Sequence, residues 1–75
     1  MKVNELIEKL KQCDPDLMVI LPGYEGGYIE ANYTELIPIK LNVNSEDYYG
    51  PHDNPDSYKF NEPQKPDCDA VLITG

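Results

Sequence analysis

Residues 44–69, NSEDYYGPHDNPDSYKFNEPQKPDCD, hold four of the chain's seven prolines and show neither the 3.6-residue period of an amphipathic helix nor the alternation of a strand. More than a third of a 75-residue chain is thereby withdrawn from regular structure, and any fold must be assembled from the two flanks. So little apolar material cannot build a second hydrophobic core, so residues 1–75 read as a single small domain. A structureless loop this long is unusual inside a compact domain. Tyr48, Tyr49, Tyr58 and Phe60 within it predict that it folds back and covers an open sheet face.

The first flank opens with Val3, Leu6, Ile7, Leu10 and Cys13 at helical spacing, with Glu5, Glu8, Lys9, Lys11 and Gln12 on the other side. Asn4 is a suitable N-cap, Glu5 and Lys9 form a favourably ordered i, i+4 pair, and Asp14 before Pro15 ends the helix near Cys13. After an Asp-Pro-Asp turn, LMVILP at 17–22 is a continuous apolar run, as in a strand covered on both faces and therefore central. ELIPIKLNV at 35–43 alternates instead, with Ile37, Ile39, Leu41 and Val43 on one face, and Pro38 assigns it to an edge. AVLIT at 70–74 is a third short strand. The expected fold is α+β, with one N-terminal helix packed on a three-stranded, mainly antiparallel sheet of order 2-1-3 and a long ordered loop before the last strand.

Between the first two apolar runs lies PGYEGGYIEANY, residues 22–33. A phosphate-cradling loop would place a lysine and a Ser or Thr beside a helix N-terminus, whereas Glu25 sits inside this loop, no basic residue is near and extended chain follows. Gly23, Gly26 and Gly27 read as residues supplying positive φ in a turn between antiparallel strands. Tyr24, Glu25 and Tyr28 put two aromatics and a carboxylate around that turn, a composition that recurs at interfaces, and are the candidate partner contacts.

Fourteen acidic residues against six lysines and no arginine leave a net charge of −8. This argues against direct nucleic-acid binding and against an anionic membrane surface. With no long apolar run and no secretion signal, the chain reads as cytoplasmic. In a reducing compartment Cys13 and Cys68 read as free thiols, one of them in the core. His52, Asp53 and Asp56 are too few for a zinc site and lack the calcium-loop pattern, so no metal or cofactor is expected. Asp67 and Asp69 flank Cys68 and work against a thiolate nucleophile, and no residue set pairs a nucleophile with a base and an oxyanion donor. The expectation is a non-catalytic accessory or interaction protein that contacts another protein or a second copy of itself. The competing reading is an acidic mimic of DNA that occupies the groove of a nucleic-acid-binding protein.

ELIEKLKQCDPDLMVILPGYEGGY, residues 5–28, resembles the start of a group of small uncharacterised bacterial and bacteriophage-type proteins in which a short amphipathic helix, a Pro-Asp turn and an apolar strand lead into Gly-Tyr-Glu-Gly-Gly. The resemblance covers about the first third of the chain. It implies a bacterial or phage cytoplasmic setting and brings no activity, cofactor or catalytic residue with it.

Overall fold

The computed structural model describes residues 1–75. Helix α1 (Val3–Leu10) precedes strands β1 (Ile20–Pro22), β2 (Tyr28–Glu30), β3 (Tyr33–Ile39) and β4 (Cys68–Thr74). The chain is α+β, but the expected three-stranded sheet of order 2-1-3 does not form. Two separate two-stranded sheets take its place, β1 with β2 and β3 with β4. By contact density the chain divides into two compact units, Met1–Thr34 with Ile73–Gly75, and Glu35–Leu72.

In the first unit α1 starts one residue before the expected N-cap. Lys2 takes that position with extended φ −94° and ψ 163° and no side-chain cap, which leaves Asn4 inside the helix. The α-helical bonding ends at Leu10 and tightens into i→i+3 bonds, Gln12 N–H to Lys9 O at 3.3 Å and Cys13 N–H to Leu10 O at 3.0 Å, so the turn does run to Cys13. Asp14 then closes the Asp-Pro-Asp turn: its carbonyl accepts from Leu17 N–H at 3.1 Å and its Oδ1 from Asp16 N–H at 2.9 Å. No residue of α1 is buried, contrary to the expected packing of its apolar stripe on a sheet.

The apolar run at 17–22 is not a covered central strand. Its last three residues alone form β1, and Leu17, Met18, Val19 and Ile20 are exposed. The partner of β1 is the nearby segment Tyr28–Glu30, in antiparallel register Ile20↔Glu30, Leu21↔Ile29, Pro22↔Tyr28. Ala31 N–H extends the hairpin by donating to Val19 O at 2.9 Å. Closing a short loop costs less chain entropy than bringing residues 35–43 back, and this local pairing takes the strand that the 2-1-3 order assigned elsewhere.

Strand β3 has the expected alternation, with Ile37 and Ile39 half-buried and Leu36 and Pro38 exposed, and Pro38 does lie in an edge strand. Its partner β4 is antiparallel: Asn32 N–H donates to Thr74 O, and Asp67 N–H to Ile39 O, each at 2.9 Å. The strand stops at Ile39, short of the expected Val43: Lys40 pairs with Asp53 in an isolated antiparallel bridge, and Asn42 then turns the chain with φ 55°.

Beyond Ile39 the second unit is held by polar contacts. Lys40 and Asp53 exchange both backbone bonds, at 2.8 and 3.0 Å, and Pro51 O accepts from Val43 N–H at 2.8 Å and Asn44 N–H at 3.1 Å. Tyr48 and Tyr58 are largely exposed and Tyr49 partly so, against the expectation that these rings cover a sheet face. Pro55 is the one buried residue of the chain; no aliphatic or aromatic side chain is buried in either unit. Cys13 and Cys68 are both free and both exposed, so neither is the core thiol that was expected.

Candidate functional site

Residues 23–27 join β1 to β2, and the hairpin is narrow at its base because Gly23 N–H donates to Gly27 O at 3.0 Å. Gly26 (φ 130°) and Gly27 (φ 64°) do hold positive φ. Gly23 does not, and its requirement is spatial: a Cβ there would meet the Gly26 carbonyl oxygen. The glycines thus build the expected turn between antiparallel strands, two through positive φ and Gly23 through lack of room for a side chain.

The turn presents Tyr24 and Tyr28 outward, 99% and 75% exposed, with Glu25, also exposed, between them in sequence. The Tyr24 ring is almost wholly open to solvent. Two phenols and a carboxylate around a hydrogen-bonded turn offer apolar ring area, hydroxyl donors and one negative charge, a chemistry suited to a partner with an apolar cleft and a basic rim.

A concave feature was missed in the sequence. Leu10 and Cys13 from the end of α1 and Pro15, Leu17, Met18 and Val19 after it line an open apolar groove of about 330 Å³, with Asp14 the one charged residue. A run of this composition is equally consistent with a covered strand, and the sequence pattern alone does not separate the two.

His52 and Asp53, considered as metal ligands, are engaged within the second unit. His52 Nδ1 accepts from Asn42 N–H at 3.1 Å. Asp53 accepts from Asn54 N–H at 2.8 Å and Asn44 Nδ2 at 3.2 Å and pairs with Lys59 Nζ at 3.6 Å. Lys59 in turn donates to Asn44 Oδ1 at 2.7 Å and lies 3.8 Å from the centre of the Tyr49 ring. Asp56 is tied by its backbone to Asn54 Oδ1 at 2.8 Å. Asp67, which the sequence offered only as a neighbour of Cys68, accepts from Leu41 N–H at 2.9 Å and pairs with Lys40 Nζ at 3.3 Å. These contacts fold the long segment.

The backbone N–H of Asn54 and the Asn44 amide hold the Asp53 carboxyl below the ordinary carboxylate range, and the Leu41 N–H does the same for Asp67. A carboxyl depressed on folding contributes stability that is fully present above the unfolded value of about 3.9 and is lost as pH falls through the lower folded value. The amide signals of Leu41 and Asn54 should therefore titrate with midpoints below the unfolded carboxyl value of about 3.9. A transition centred at or above about pH 4 would contradict these bonds.

No protein-family model, no curated protein and no solved structure matches the chain. No helix is long and apolar enough to cross a membrane.

Proposed function

We propose that this chain is a small, acidic, non-catalytic interaction protein that engages another protein through the tip of the β1–β2 hairpin. The single observation that carries the reading is the near-complete exposure of Tyr24 on a turn closed by the Gly23 N–H bond to Gly27 O, with Tyr28 beside it. Large rigid aromatics lose little conformational freedom on binding and dominate the energetics of contact surfaces. Holding them on a narrow hairpin removes most of the ordering cost that a flexible loop would add. Glu25 contributes to orientation and encounter more than to affinity.

The test is capture from bacterial lysate with the full chain as bait, in parallel with a Tyr24→Ala, Tyr28→Ala double variant. Retention of a partner by the parent chain through moderate salt, reduced about tenfold or more in the variant, is the expected result. Capture of a nucleic-acid enzyme that moderate salt abolishes and the double variant leaves intact would favour the DNA-mimic reading and remove this one.

A further inference from the structure

In the second unit three polar side chains close a triangle. Lys59 Nζ donates to Asn44 Oδ1 at 2.7 Å, Asn44 Nδ2 donates to Asp53 Oδ2 at 3.2 Å, and that same Asp53 oxygen lies 3.6 Å from Lys59 Nζ. An amine, a carboxamide and a carboxylate in mutual contact are the nucleophile, the acyl group and the proton carrier that amide exchange requires. We propose that Asn44 and Lys59 become joined in an intramolecular isopeptide bond, Lys59 Nζ to Asn44 Cγ, with Asp53 carrying the protons.

The orientation of the carboxamide is fixed by what it donates to. Asn44 Nδ2 reaches Gly50 O at 2.8 Å as well as Asp53 Oδ2, and turning the group over would set its carbonyl oxygen against two acceptors. The carbonyl side therefore faces Lys59. Because Cγ is about 1.2 Å from Oδ1, Nζ stands within about 4 Å of the carbon it attacks, close to the near-attack separation of about 3–3.5 Å. Nζ also lies 3.8 Å from the centre of the Tyr49 ring, and the Lys59 and Asp53 side chains are each 27% exposed. The other two lysine–carboxylate pairs, Lys11–Glu8 and Lys40–Asp67, bond no carboxamide and hold no acyl group to attack.

The step balances without a further reactant. Lys59, as the ammonium, gives up a proton by way of Asp53, and the freed Nζ lone pair forms the bond to Asn44 Cγ. The Cγ–Nδ2 bond then breaks with its electron pair going to Nδ2, and the two protons that Nζ sheds in all end on Nδ2, which leaves as ammonium. Nothing is oxidised or reduced, and the positive charge of Lys59 departs with the leaving group. The contacts with the Tyr49 ring and the Asp53 carboxylate are contacts of the ammonium, and they are given up before the amine attacks, so the bond forms slowly at neutral pH and faster in alkali. A slow step suffices, because it occurs once per chain and has no turnover. Its product ties residues 44–59 into a covalent ring within a unit that has no buried aliphatic or aromatic side chain, the constraint a disulfide would give in a chain whose two cysteines are free.

The full chain, incubated at neutral and at alkaline pH and followed by intact mass, should lose the mass of one ammonia, faster in alkali. Trypsin should then no longer cut after Lys59, and fragmentation of the digest should place the link between Asn44 and Lys59. Lys59→Arg keeps a cation facing Asp53 and Tyr49 and should show no loss at Asn44. Asp53→Asn keeps an acceptor oxygen that carries no proton, and should slow the loss at neutral pH by roughly a hundredfold, within the range for a positioned proton carrier. The mass and digest of the parent chain decide the matter even where a variant fails to fold. An unchanged parent mass at both pH values, an ammonia loss that leaves Lys59 open to trypsin as closure of Asn44 onto its own backbone would, or a loss at Asn44 that persists in Lys59→Arg would overturn the bond. A rate unchanged in Asp53→Asn would overturn the part given to Asp53.

Discussion

Gly23→Ala is expected to destabilise the β1–β2 hairpin by roughly 1–3 kcal/mol, the range for forcing atoms into filled space, and more than alanine at either neighbouring glycine does. A Cβ at position 23 meets the Gly26 carbonyl oxygen and has the Gly27 oxygen 3.3 Å away, both backbone atoms that no rotamer change can move aside. Relief requires opening the turn, which breaks the Gly23 N–H bond to Gly27 O and disturbs the Pro22↔Tyr28 pairing next to it. At Gly26 and Gly27 a Cβ finds open space and the cost is that of positive φ alone, on the order of 1–2 kcal/mol. Urea denaturation of the three alanine variants checks the order; a Gly23→Ala variant as stable as the parent would show that the turn does not close as described.

Asp53→Ala should abolish the ordered path of the segment after β3. The carboxylate is 27% exposed, and in one place it accepts from the Asn54 backbone and the Asn44 side chain and pairs with Lys59. Without it Lys59 loses its carboxylate, and Asn44, which also ties Gly50 O at 2.8 Å, loses one of its anchors. The amides of Lys40 and Val43, bonded to Asp53 O and Pro51 O, should then exchange at rates near those of unstructured chain, while those of Gly23 and Ala31 in the first unit keep their protection. Asp53→Asn should fall between, since it keeps one acceptor oxygen and forfeits the charge that Lys59 faces. Unchanged protection of Lys40 and Val43 in the alanine variant would assign the order of this segment to some other contact.

The parts of the fold that could be read from sequence are those where local chemistry decides. Val3, Leu6, Ile7 and Leu10 recur at 3–4 residues and form α1; Ile37 and Ile39 alternate with Leu36 and Pro38 and lie in β3; three glycines between extended runs form a turn. What could not be read is which strand meets which. Residues 28–30 carry no pattern that distinguishes a strand from a loop exit, yet they claim β1 because they are five residues from it across residues 23–27. The apolar run at 17–20 looks the same whether it is covered within the chain or left for association, since hydrophobicity records the need for cover and not its source. Residues 44–69 were opaque for a related reason. Asp53, Asn44, Lys59 and Asp67 are ordinary loop residues until the backbone brings them within hydrogen-bonding distance, and their spacing in sequence has no period that announces it.

The proposed contact residues Tyr24, Glu25 and Tyr28 came from composition beside a turn, and the exposure of both rings is the physical condition that a contact role would require. Thermal melting of the Tyr24→Ala, Tyr28→Ala double variant against the parent chain tests that role most directly. Side chains that contact only solvent in the free protein contribute little to its stability, so the expected result is a melting temperature within a few degrees of the parent, while partner capture falls. Loss of the folded transition in the double variant would show that the two tyrosines hold the fold together, and the hairpin tip would no longer stand as a contact surface.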